Sequence, residues 1–145
     1  MIIEDIIYWY FSYFTNWNLT LVFLYLLGYI PKDYKDCIIY LANIALIGGL
    51  FICYIKPRYI YTPYFGGLRF TGLSMYIADF ITHFLPRLLL QVDDIKINLK
   101  IPYMAILLGL IYLSVNSPER LYNINKLDIL AIILASTVLY IVIPF

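Results

Sequence analysis

The sequence predicts an all-α polytopic transmembrane helical bundle of about five spans (four to five), joined by short loops. Two observations predict it. Of 145 residues, 63% are hydrophobic and only 13% are charged, about half the charge of an ordinary soluble domain. Too few polar side chains remain to cover a water-facing surface. The charges also fall in clusters, and the apolar gaps between clusters have the lengths of membrane helices. Helix is the expected conformation because backbone in lipid must satisfy its own hydrogen bonds, and no series of ten-residue alternating strands is present.

The expected spans are approximately 6–30, 37–55, 70–90, 101–115 and 129–145, all in one integral membrane domain covering 1–145. The first gap closes at Pro31, Lys32 and Asp33. As one helix it would measure about 37 Å against a hydrocarbon core of about 30 Å. Its opening, with Tyr8, Trp9, Tyr10 and Phe11 and then Asn16, Trp17 and Asn18, is therefore expected at headgroup level. The acidic start, Glu4 and Asp5, is unlike a basic signal-peptide leader, so this stretch is expected to stay in the mature chain. The second gap closes at Lys56, Pro57 and Arg58, and the linker that follows is rich in Tyr, Pro and Gly, which suits a turn at a membrane boundary. The fourth and fifth gaps are short for a full crossing. Basic residues divide five against five between the two sides of such a topology, so charge sets no orientation.

Polar groups enter the expected helices mainly in the third. Asp79 and His83 stand four residues apart, Arg87 extends the stripe by another turn, and Tyr76 projects nearby. A carboxylate orienting an imidazole is the minimal arrangement for proton transfer, with the Tyr76 hydroxyl able to join it. The same pair could instead be a satisfied polar contact that fixes helix packing, and that is the reading adopted, with no catalytic residue assigned. Lys56, Arg58, Arg69 and Arg87 are expected to meet lipid headgroups. Gly48 and Gly49, with Ala42 and Ala45, make a surface on which another helix can approach closely, and Asn43 could hydrogen-bond across it. One histidine and two cysteines, Cys37 and Cys53, about 24 Å apart on a helix, give neither a metal set nor a disulfide.

The function these residues suggest is a non-enzymatic structural or accessory integral membrane protein packed into a larger assembly. An example is a protein linking the inner membrane and capsid of a large DNA virus particle, resident in a virion internal membrane or an organelle membrane. The abundance of Ile, Tyr and Phe fits an AT-biased genome. The alternatives are an accessory subunit of an organellar energy-transducing complex, or a small membrane-embedded enzyme or proton-transfer subunit using Asp79 and His83. The expected partners are the lipid bilayer and other membrane or capsid-type subunits. No cofactor or metal is expected, and a formal net charge of +1 gives no footprint for nucleic acid.

Overall fold

The computed structural model describes residues 3, 4, 7, 13–55, 72–90, 100–117 and 124–142, with only the backbone of 53, 75 and 100–104. Among the described residues the chain is helix and turn, with no strand. Helix α1 is Phe14–Leu26. A single 3₁₀ turn, Lys32–Tyr34, leads into α2, Lys35–Leu50, which runs on as a π-helical turn, Phe51–Ile55. Helix α3, Leu73–Asp79, continues through a second π-helical turn, Phe80–Phe84, into α4, Leu85–Leu89. Helices α5, Lys100–Val115, and α6, Lys126–Val142, complete the set.

Local chemistry sets several boundaries. Gly28 takes φ 80° after α1, a left-handed conformation that glycine adopts without a Cβ penalty. Its N–H donates to the Tyr25 carbonyl at 3.0 Å and the Tyr29 N–H to the Leu24 carbonyl at 2.9 Å, so a Schellman motif closes the helix at Leu26. Gly72, just before α3, also takes a positive φ, 56°, which a side chain would strain. Pro86 has no N–H to return to the Thr82 carbonyl, and the turn before it loosens: the Leu85 N–H reaches back five residues to the Phe80 carbonyl. At the start of α6 the Asn125 side chain accepts the Asp128 N–H and the Asp128 carboxylate accepts the Asn125 N–H, both at 2.9 Å. This reciprocal cap satisfies two donors.

These boundaries correct the polytopic transmembrane reading. Among the described residues no helix is long and apolar enough to cross a membrane. The longest purely α-helical stretch, α6, has 17 residues, about 26 Å of helix where about 20 residues and 30 Å are needed. Gaps between charges measure apolar runs, but not uninterrupted helix. The 6–30 run is cut at Leu26 by the glycine motif, and the α-helix in 37–55 ends at Leu50. Within the 70–90 run the helix starts only at Leu73, after Gly72, and its α-helical pattern gives way to a π turn between Asp79 and Leu85. The multi-pass placement in a virion or organelle membrane falls with the spans.

Helix α2 is the centre of the packing, touching α1, α4, α5, α6 and the π turn that carries His83. It buries Cys37, Ile38, Ile39, Leu41, Ala42, Asn43, Ala45 and Gly49. Val22 from α1, Leu90 after α4, Ala105 from α5 and Tyr140 from α6 join the core around it. A fully buried side chain such as Ile39 contributes about 1.5–3 kcal/mol. Tyr112 of α5 sits edge-on to both Phe14 and Trp17, with ring centroids at 5.4 and 5.6 Å. The 8–12 part of the aromatic opening lies outside the described residues. Asn18, expected at a headgroup boundary, is instead 1% exposed on the inner face of α1.

Candidate functional site

The spacing of Asp79 and His83 places both on one side of the turn that leaves α3, facing α2. Asp79 is 2% and His83 3% exposed. His83 Nδ1 lies 2.6 Å from Asp79 Oδ1, and the Tyr54 hydroxyl donates to Asp79 Oδ2 at 3.0 Å. Two donors converge on the carboxylate, which therefore accepts the Nδ1–H of the ring. Nε2 then carries the lone pair and accepts from the Thr15 hydroxyl at 3.0 Å. This tautomer is assigned from the partners. Thr82 Oγ1 stands 3.3 Å from Nδ1, but the hydroxyl donates within its own helix to the Ala78 carbonyl at 2.7 Å. The cluster thus reads Thr15, His83, Asp79, Tyr54 in hydrogen-bond order, drawn from α1, α3 with its π turn, and the end of α2.

Gly49 makes room for the ring. A Cβ built there would stand 2.5 Å from His83 Cγ and 2.6 Å from Nδ1, so only glycine lets the imidazole lie against the α2 backbone. Gly48 has another neighbour: a Cβ there would meet Ile132 Cγ2 at 3.8 Å, an ordinary contact. The two adjacent glycines therefore serve different helices.

One turn beyond His83, Arg87 is 7% exposed. Its Nε donates to Asn43 Oδ1 at 2.7 Å and an Nη donates to the Leu90 carbonyl at 3.3 Å. Burial lowers its pKa from the ordinary guanidinium value. The backbone carbonyl of Asn43 faces Ser136 Oγ at 3.4 Å, while that hydroxyl donates more closely to the Ile132 carbonyl at 2.7 Å. Asn43 thereby stands between α4 and α6.

Of the residues singled out in the sequence, Asp79 and His83 come together. Tyr76 does not take the place expected of it. It is 51% exposed and stacks on Tyr54, ring centroids 6.2 Å apart, and Tyr54 supplies the hydroxyl to Asp79. Asn43, Gly48 and Gly49 lie on the contact surface of α2. Arg87, expected at a headgroup, is turned inward to Asn43, which offers a carbonyl oxygen at close range. Lys56, Arg58 and Arg69 lie outside the described residues. Thr15 carried no signal in the sequence, being 68 residues from its histidine. Tyr54 was one of 16 tyrosines. Cys37 is buried with its thiol pKa raised by burial, and among the described residues no group of three His, Cys, Asp or Glu side chains gathers to hold a metal. No family model, curated protein or solved structure matches this chain.

Proposed function

We propose that this protein is an accessory subunit that works by packing, its outward helix faces covered by other subunits of a larger assembly. The observation that carries this reading is the character of α5 and α6. Each turns one stripe inward, Ala105, Leu108 and Tyr112 on α5 and Ile132, Ser136 and Tyr140 on α6. Much of the rest of each described surface is hydrocarbon: Ile106, Leu107, Leu110 and Leu113 on α5, and Leu127, Leu130, Leu134, Val138 and Ile141 on α6, all at least half exposed. Exposed apolar surface on this scale is unusual for a protein that works alone and marks an interaction face. The polar ties of Asn43 to Arg87 and of Asp79 to Tyr54 suit this role, because buried hydrogen bonds fix how the helices register.

Sedimentation of the protein from its native source tests the reading. The expected result is a species well above the 17.0 kDa chain mass that contains unlike chains. Leu130→Gln with Leu134→Gln should release a smaller species while the helical content stays. A wild-type chain that sediments as a monomer contradicts the proposal.

A further inference from the structure

Beyond packing, we infer that Thr15, His83 and Asp79 form a nucleophile, base and orienting-acid triad able to transfer an uncharged acyl group from an ester. A hydroxyl nucleophile is recognised by a base within hydrogen-bond reach and a third group that orients the base. Thr15 Oγ1 to Nε2 is 3.0 Å and Nδ1 to Asp79 Oδ1 is 2.6 Å. Tyr54, donating to the other carboxylate oxygen at 3.0 Å, holds that oxygen in place, and Gly49 seats the ring. A second observation lies on the same face of α1. Asn18 is 1% exposed, and neither atom of its amide has a hydrogen-bond partner among the described residues. It follows Thr15 by three positions, one helical turn, and a buried unpaired amide N–H beside a nucleophile is the kind of donor that stabilises an oxyanion.

The surroundings select the substrate class. Phe14 precedes Thr15, and Phe80 and Phe84 stack on each other at 6.2 Å on the turn that carries His83. The cation of this stripe, Arg87, is turned to Asn43 and the Leu90 carbonyl. An apolar acyl group suits this aromatic neighbourhood better than a carboxylate or phosphate. In the first half-reaction Thr15 Oγ bonds to the ester carbonyl carbon, whose π pair moves to oxygen, and the hydroxyl proton passes to His83 Nε2. The carbonyl re-forms, the bond to the leaving alkoxide breaks, and that oxygen takes the proton from Nε2. The acyl group is now an ester of Thr15. Water then attacks the same carbon, gives its proton to Nε2, and releases the carboxylic acid as the proton returns to Thr15 Oγ. Asp79 stabilises the imidazolium at both stages and exchanges no proton.

The test is incubation of the purified full chain with p-nitrophenyl butyrate, read by p-nitrophenol release and by mass mapping of the butyryl group. Wild type should carry the acyl group on Thr15. Thr15→Val should lose it, Thr15→Ser should keep it, and Asp79→Asn should slow acylation by about 10⁴-fold, as loss of the orienting carboxylate does in such triads. Asn18→Ala should slow it by about 10²–10³-fold if its amide serves the oxyanion. The Thr15 pair leaves His83 and Asp79 intact, so it reports even where variants at those positions unfold. Absence of acylation in the folded wild type, acylation confined to other residues, or equal acylation of Thr15→Val overturns the inference. None of these outcomes bears on whether α5 and α6 bind other subunits.

Discussion

At the scale of single residues, the two glycines of α2 give opposite expectations. Gly49→Ala puts a methyl against the His83 ring at 2.5 Å. That ring is held at both nitrogens and cannot swing aside, so the substitution should cost about 1–3 kcal/mol. Gly48→Ala meets only Ile132 Cγ2 at 3.8 Å and removes the backbone freedom of a helical glycine, so it should stabilise by about 0.5–1 kcal/mol. Denaturant unfolding of both variants checks the pair. Tyr140 offers a second test. Its hydroxyl is buried with no hydrogen-bond partner among the described residues, and burial, with Asp36 and Cys37 adding to it, pushes the phenol from 10 up to about 12. The folded pKa is raised, so this contribution to stability is complete below pH 10 and is lost as pH rises from 10 towards 12. Because it removes a buried hydroxyl without a partner, Tyr140→Phe should be more stable at neutral pH by about 1 kcal/mol, and, lacking the phenol, its stability should fall less steeply above pH 10. Equal slopes in the two proteins would contradict this.

At the scale of elements, helix ends decided what the charge pattern could not. The fifth apolar gap starts at 129, yet α6 begins at Lys126 because Asn125 and Asp128 cap each other. Asn125→Ala should lower stability by about 0.5–2 kcal/mol, measured by thermal unfolding, and a Gly replacement should cost less. In the interior of α2, where the sequence suggests a close-packing surface, Ala42, Ala45 and Gly49 are buried and Asn43 bonds to Arg87. Removing Asn43 leaves a guanidinium buried without that acceptor. Asn43→Ala should thus cost about 1–3 kcal/mol, and a double-mutant cycle with Arg87→Met should show coupling. The partners of the histidine were not legible. Asp79 and His83 lie on one helix, where sequence spacing decides contact. Thr15 and Tyr54 reach them only through the packing of α1 and α2, which no local pattern encodes.

At the scale of the molecule, the described residues are helical, but the membrane crossings from which helix is expected are not found, because hydropathy gaps do not reveal where helices stop. Gly28 ends α1 and the π turns and Pro86 interrupt the α-helical hydrogen bonding, each through backbone geometry, to which a hydropathy average is blind, and among the described residues no helix is long and apolar enough to cross a membrane. What remains is a set of helices around α2 whose described outer faces on α5 and α6 are largely hydrocarbon. The most direct test of the packing role is site-specific photocrosslinking in the native source, with benzoylphenylalanine at Leu110 or Leu134 on those faces and at the buried Ile38 as control. The account predicts discrete adducts of the two outer positions with unlike protein chains and none from Ile38. Outer positions that give no protein adduct, or adducts no different from those at Ile38, would contradict it.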